Sequence, residues 1–269
     1  FSSGWHANLA LLSTLLEPGD SVASDALNHA SIIDGIRLSR ANKQILPHGT
    51  FDCDEGTRLL VQEGIYSMDG DILDLKGARE HTEEAGTWWM VDEAHSVGVL
   101  GPRGRGASAE AGQTPDFIVG TLGKAFGSFG AFVIGPPELR ELLISRGRSF
   151  IFTTGLPEPA ARAALVALEL ASDERRALLA DRTRRLRSGL ASLGIRSLGQ
   201  HHIVPIVLGG RTMEVSRRLR ERGFLVPGIR PPTVPEGSER LRVTLSAAHT
   251  DDQVDGLIEA LKQVIRTQA

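Results

Sequence analysis

Short apolar segments alternate with amphipathic segments through the first half of the chain. They predict strands at 21–24, 58–63, 87–91, 116–120 and 130–134, and helices at 5–15, 29–40, 74–85 and 137–146. The run Trp88-Trp89-Met90-Val91 is apolar at every position, which is typical of a strand that is buried on both faces of a parallel sheet. This order predicts a layered α/β domain with helices on both sides of a mostly parallel sheet.

The second half of the chain has a different pattern. It predicts a long charged helix at 173–193, strands at 203–207 and 241–245, a helix at 212–222, and a last helix that begins after an N-cap at Thr250. We therefore predict a large domain over residues 1–174 and a smaller C-terminal α+β domain over residues 175–269.

Composition excludes several classes of function. The formal net charge of −3 argues against a general nucleic-acid-binding protein, which needs clustered basic residues. No uncharged apolar run approaches the roughly 20 residues that a membrane span requires. The single cysteine, Cys53, cannot form an intrachain disulfide. These features predict a cytoplasmic protein without nucleic-acid, membrane or metal binding.

Lys124 is the most informative lysine because this residue type is rare here. The other three, Lys43, Lys76 and Lys262, lie at a turn or in amphipathic helices, where contact with solvent is sufficient. Lys124 lies in the glycine-rich segment 120–130, which has no other charged residue. Glycines let a ligand approach the backbone closely, and a desolvated lysine can be the nucleophile that forms a Schiff base. The alternative is an exposed lysine at a glycine-rich turn.

Asp92 follows the apolar strand directly, and His95 lies three residues further on in a glycine-rich loop. Ligands of open α/β sheets bind outside the carboxyl ends of the strands. A carboxylate at that position can pair with a protonated pyridine nitrogen. The alternative for His95 is a residue that only makes hydrogen bonds within its loop.

The sequence Asp92-Glu93-Ala94-His95 also occurs in nucleotide-driven helicases, which form a competing class. A helicase requires a phosphate-binding G-x-x-x-x-G-K-[ST] motif. The Gly123-Lys124 pair is followed by Ala125, and Ile118 occupies the place of the first glycine. The pair also lies after the acidic motif rather than before it, so the helicase hypothesis is not favoured.

Eight segments recur in the order of one known family: 1–8 (FSSGWHAN), 27–31 (LNHAS), 63–71 (EGIYSMDGD), 91–98 (VDEAHSVG), 121–127 (TLGKAFG), 150–154 (FIFTT), 229–235 (IRPPTVP) and 241–249 (LRVTLSAAH). On these segments the chain resembles the α-oxoamine synthases. The resemblance implies an enzyme with pyridoxal 5′-phosphate (PLP), the aspartate aminotransferase fold of type I, and a homodimer with shared active sites. It further implies the condensation of an amino acid, here L-alanine, with an acyl thioester.

The resemblance assigns catalytic roles to three residues. Lys124 would carry PLP as a Schiff base and then shuttle the α-proton, and Asp92 would pair with the ring nitrogen. His95 would hydrogen-bond the phenolic oxygen side of the ring or the substrate. His29 would stack on the ring face near the substrate, and Ser67 would lie near the same edge as His95.

The resemblance also assigns residues to the phosphate group of PLP. Gly4 and Trp5 open a helix whose free N–H groups suit a phosphate, with the Thr121 hydroxyl beside them. Thr153 and Thr154 would contact the phosphate of the partner's cofactor across the dimer interface. The alternative for Thr154 is a surface hydroxyl.

Substrate contacts are implied in the second half of the chain. Thr233, in a proline-rich loop, would lie beside the substrate, and Arg242 would bind the amino-acid carboxylate. Strand alternation places Arg240 on the same face, so spacing alone does not separate the two arginines. The family pattern favours Arg242. Ser67 has its own alternative, the closure of a turn before Asp69-Gly70.

Two departures from the family pattern and two alternatives remain. The N-terminal portion of the family, with a glycine-rich segment and an arginine that helps to place the acyl substrate, is absent from this sequence. The stretch between His48 and Glu63 is shorter than in relatives. The alternatives are a glycine-using or serine-using member of the family and a non-catalytic partner subunit. Retention of Lys124, Asp92 and His95 together argues against the non-catalytic subunit.

Overall fold

The computed structural model describes residues 1–266, and the chain divides into two units. The first unit comprises Phe1–Tyr66 and Ile72–Ser172. The second comprises Ser67–Asp71 and the chain from Asp173 onward. Among the described residues, no helix combines the length and the apolar character needed to cross a bilayer.

The first unit contains a six-stranded sheet. Its strands are β1 (Ser21–Asp25), β2 (Asn42–Leu46), β3 (Leu59–Glu63), β4 (Trp88–Asp92), β5 (Phe117–Thr121) and β6 (Ala131–Ile134). They lie in the order β2-β1-β3-β4-β5-β6, in which the first five are parallel and β6 is antiparallel to β5. The carboxyl ends of the parallel strands therefore share one edge of the sheet.

Helices connect and cover these strands. They are α1 (Gly4–Leu15), α2 (Ala30–Ser39), α3 (Leu75–Ala85), α4 (Ala107–Glu110), α5 (Pro137–Arg146), α6 (Arg148–Ile151) and α7 (Glu158–Leu170), with a 3₁₀ turn at Pro102–Gly104. Side chains at their N-termini explain several starts: Ser3 accepts from the His6 amide before α1, and Asp74 accepts from the Gly77 amide before α3.

Most predicted elements of this unit form within one or two residues of their predicted bounds, but strand β2, the short helices α4 and α6 and the 3₁₀ turn were not predicted. Strand β2 lies at the sheet edge and is mostly exposed, so its sequence NKQIL lacks a buried apolar pattern. Helix α7 was also not predicted. The prediction that Trp88 is buried was wrong, because this first residue of β4 is 38% exposed and lies under the Arg58 guanidinium.

The second unit is a small antiparallel sheet covered by helices. Its elements are α8 (Asp173–Ser192), β7 (Ile203–Val207), a 3₁₀ turn (Gly209–Arg211), α9 (Thr212–Glu221), β8 (Gly228–Ile229), β9 (Arg240–Thr244) and α10 (Asp251–Arg266). The strands lie in the order β7-β9-β8. Thr250 accepts from the Gln253 amide before α10, which confirms the predicted N-cap. Leu186 and Leu190 of α8 are fully buried in its core.

Candidate active site

The carboxyl edge of the first unit's sheet collects the polar residues that the sequence singled out. Asp92 is the last residue of β4, as predicted, and Thr121 is the last residue of β5. Glu63 ends β3 beside them, because β3 and β4 pair in register from Leu59–Trp88 to Glu63–Asp92. The edge therefore presents side chains from three neighbouring strands.

Lys124 contacts His95 at this edge. The Lys124 Nζ lies 2.9 Å from His95 Nε2. The backbone that carries Lys124 turns sharply after β5, with Gly127 and Gly130 at φ values of 56° and 112°. These conformations favour glycine, which explains part of the glycine-rich sequence. The amine and the imidazole that the sequence placed in one site are thus in hydrogen-bond contact.

The Asp92 carboxylate is buried and fixed by two donors. Asn8 Nδ2 of α1 donates to Asp92 Oδ2 over 2.7 Å, and the Ala94 amide donates to Oδ1 over 2.9 Å. Asp92 is 6% exposed. These two hydrogen bonds fix the orientation of the Asp92 carboxyl group at the edge of the sheet.

A chain of hydrogen bonds joins Asp92 to His29. The same Asn8 Nδ2 lies 2.9 Å from Ser31 Oγ, and Ser31 Oγ lies 2.7 Å from His29 Nδ1. Burial lowers the pKa of His29, against the opposing effect of the Asp92 charge, and Lys124 lowers it further. A lowered pKa favours the neutral form of the His29 ring, which suits contact with an aromatic ligand. The Trp5 ring packs edge to face against the His29 ring, with 6.2 Å between the ring centroids.

Glu63 is a buried carboxyl group beside this chain, and sequence reasoning gave it no role. Its Oε1 accepts from the His29 amide over 2.5 Å. Burial raises the pKa of Glu63 well above its usual range, and the charge of Asp92 raises it further. Asn8 and Ser31 were also missed. The signal for Asn8 is a lone polar residue on the buried face of α1, beside Leu11 and Leu12.

The residues predicted to bind a phosphate divide into two groups. Helix α1 begins at Gly4, as predicted, so the first N–H groups of the helix have no acceptor within it. Thr121 lies close to the start of α1, because a Cβ on Gly4 would lie 3.9 Å from Thr121 Cβ. Thr153 and Thr154 are exposed between α6 and α7, and within residues 1–266 no hydrogen bond joins them to this group.

The two candidate arginines of the second unit have different partners. Arg240 is 5% exposed, donates to the Met68 carbonyl and forms an ion pair with Asp69. Arg242 donates from Nε to the Ser67 carbonyl over 2.6 Å, and within the described chain no carboxylate forms an ion pair with it. Burial lowers the pKa of Arg242, which means that its charge is partly desolvated.

Ser67 and Thr233 also lie in the second unit. Ser67 belongs to the short segment Ser67–Asp71 that this unit takes from the first half of the chain. Thr233 is exposed, and its amide donates to the Arg230 carbonyl in a turn that contains a cis Pro231–Pro232 bond. Their roles toward the ligand stay predictions.

The sequence profile of one family, described as aminotransferase class I and II, matches residues 1–261. The chain belongs to this family. Among its relatives, the 8-amino-7-oxononanoate synthase of Methylococcus capsulatus is 46% identical over 286 residues, which cover 100% of this chain and 74% of that protein. The enzyme of the same description from Alkalilimnicola ehrlichii is 47% identical over 282 residues, which cover 98% of this chain and 72% of that protein.

Solved structures of the aminotransferase family share the fold. A serine palmitoyltransferase variant from S. paucimobilis, solved with a bound PLP–myriocin aldimine, has a TM-score of 0.93 and 32% identity. The match covers 99% of this chain and 71% of that one. The predicted fold and the predicted relation to the α-oxoamine synthases are thereby confirmed.

Proposed function

We propose that this protein condenses L-alanine with a pimeloyl thioester to give 8-amino-7-oxononanoate, with PLP as its cofactor. A carbon–carbon bond forms between the alanine α-carbon and the thioester carbonyl carbon, and the thiol leaves. The alanine carboxylate is lost as carbon dioxide, and a proton replaces it on the α-carbon. The contact between Lys124 and His95 beside the fixed charge of Asp92 carries this proposal, together with relatives of that activity at 46% and 47% identity.

The residues at the sheet edge fit PLP by the chemistry of their side chains. Lys124 supplies the amine, Asp92 a fixed carboxylate for the ring nitrogen, and neutral His29 a ring for stacking. The start of α1 and the Thr121 hydroxyl supply donors for the phosphate. Bound there, PLP would act as an electron sink for the bonds that break at the substrate α-carbon.

The chain's own part in the reaction is to place charges and move protons. Lys124 Nζ removes the α-proton of alanine and later returns a proton to the same carbon. His95, 2.9 Å from Nζ, orients that amine and shares its proton. Asn8 and the Ala94 amide hold the Asp92 carboxylate in a fixed orientation.

Arg242 is the proposed ligand of the amino-acid carboxylate, and the two arginines give a matched test. Arg242→Lys should raise KM for alanine about 10- to 100-fold, because a charged, partly desolvated two-pronged donor is lost. Arg240→Lys should lower the melting temperature with a smaller change in KM, since the guanidinium of Arg240 is occupied by Asp69. Steady-state kinetics and thermal melts measure both. Equal KM values for Arg242→Lys and wild type would exclude this role.

Product analysis tests the proposed reaction directly. The purified protein is incubated with PLP, pimeloyl thioester and alanine, glycine or serine, and products are identified by mass spectrometry. We expect the highest kcat/KM with alanine. A preference for serine would favour the second candidate, a serine palmitoyltransferase activity, which is the description of a solved structure at 32% identity. Turnover with none of the three would favour the non-catalytic subunit.

The proposal includes a homodimer in which Thr153 and Thr154 contact the partner's cofactor. Helix α7, which follows these threonines, exposes large apolar side chains: Leu165 (64%), Val166 (55%), Leu168 (56%) and Leu170 (53%). Several exposed large apolar side chains on one helix are typical of an interface with another protein. The position of the two threonines a few residues before α7 supports their predicted role at that interface.

A further inference from the structure

Glu93 is a fully buried carboxyl group that the proposed reaction does not use. It follows Asp92 directly, and its exposed fraction is 0%. No lysine or arginine in the described part of the chain forms an ion pair with it. A buried carboxylate without a cation is costly unless hydrogen bonds satisfy it, so its surroundings need an explanation.

Four donors at the two ends of the segment 96–108 surround the Glu93 carboxylate. Oε1 accepts from the Ser108 amide over 2.8 Å and from the Ser108 hydroxyl over 2.5 Å. Oε2 accepts from the Ala107 amide over 2.8 Å and from the Ser96 hydroxyl. Both oxygens are therefore occupied, and the donors come from the two ends of the segment 96–108.

The backbone also packs closely against the Glu93 carboxylate. Gly106 has a φ of 110°, and a Cβ at this position would lie 2.6 Å from the Glu93 carboxyl carbon. The Glu93 carbonyl also accepts from the amides of Ser96 and Val97, so the turn that contains His95 closes on Glu93 from both backbone and side chain. Glu93 thus fixes the turn on which His95 is carried.

We propose that Glu93 is a positioning residue that holds His95 against Lys124 by binding the two ends of the segment 96–108. His95 lies between Glu93 and Ser96, and its Nε2 contacts Lys124 Nζ at 2.9 Å. The hydrogen bond from the Ser96 hydroxyl is the one nearest to His95 in the sequence. The hydrogen bonds from Ser108 hold the other end of the segment 96–108. The effect on catalysis rests on the proposed function. The binding of the segment 96–108 by Glu93 does not depend on it.

Two serine variants separate positioning from stability alone. Ser96→Ala removes the hydroxyl that donates to Glu93 from the residue next to His95. Ser108→Ala removes the hydroxyl that donates to the same carboxylate from the other end of the segment 96–108. We expect Ser96→Ala to lower kcat and to shift the pH dependence of the cofactor absorbance, with KM for alanine unchanged. Ser108→Ala should lower the melting temperature with less change in either quantity. Equal kcat and equal absorbance profiles for Ser96→Ala and wild type would overturn the proposal.

Glu93→Gln gives the larger change. Its amide can accept at one oxygen only and presents N–H groups to the donors on the other side, so the loop loses part of its anchor. We expect faster amide hydrogen exchange at Ala107 and Ser108, and a kcat loss of up to about 100-fold from a displaced reacting group. Unchanged exchange there would contradict the proposal. If wild-type protein forms no product, the proposed function fails, and the exchange experiment still decides the role of Glu93.

Discussion

Replacing Lys124 with alanine is expected to lower kcat by about 100- to 10,000-fold, the usual contribution of a positioned acid–base group. In the proposed mechanism the variant loses both the nucleophile that binds the cofactor and the group that moves the α-proton. Reduction of wild-type protein with borohydride, followed by peptide mapping, should place a pyridoxyl adduct on Lys124. In Lys124→Ala that adduct should be absent, and His95 should lose the partner that it contacts at 2.9 Å.

The matched control is Lys76→Ala. Lys76 is an exposed lysine of α3 whose Nζ lies 3.5 Å from Glu80, one helical turn away. Surface pairs of this kind contribute little, so wild-type kcat and the wild-type adduct are expected in this variant. An adduct on Lys76, or wild-type activity in Lys124→Ala, would show that the site is wrongly assigned.

Local sequence was sufficient for most elements of the first unit and for placing Asp92 at the carboxyl edge of its sheet. Lys124 could be predicted because lysine is rare and because the glycines around it mark a special backbone. Asp92 could be predicted because an apolar strand ends there, and parallel strands present ligands at that end. Both inferences depend on a few neighbouring residues.

Contacts between distant parts of the chain could not be predicted. Asn8 donates to Asp92 across a separation of 84 residues, so no local pattern connects them. The role of Glu93 depends on Ser108, which approaches only because the intervening loop closes. The choice between Arg240 and Arg242 is of the same kind. Strand alternation places both on one face, and in the structure they differ in partners that are distant in sequence, Asp69 for Arg240 and the Ser67 carbonyl for Arg242.

The second large effect is expected for Asp92→Asn. The substitution keeps the shape of the side chain and removes the negative charge that would keep the cofactor's ring nitrogen protonated. We expect kcat to fall about 100- to 1,000-fold, as when one electrostatic partner of a reacting centre is removed. The amide also has one oxygen for two donors, Asn8 Nδ2 and the Ala94 amide, so one of them meets an N–H group.

Asp116→Asn is the matched control for this loss of charge. Asp116 lies directly before β5, at the edge of the sheet opposite to the carboxyl edge. Its Oδ2 accepts from the Trp89 amide over 2.8 Å and from Arg79 over 3.0 Å. Its replacement should lower the melting temperature and leave kcat near that of wild type.

Cofactor content, read from absorbance after dialysis, separates weak binding from slow chemistry in Asp92→Asn. Retained cofactor with reduced kcat is the expected result, because the proposed phosphate donors at α1 and Thr121 are unchanged in this variant. A wild-type kcat in Asp92→Asn would mean that the ring nitrogen has no need of this carboxylate, and the mechanism argued from the sheet edge would be wrong.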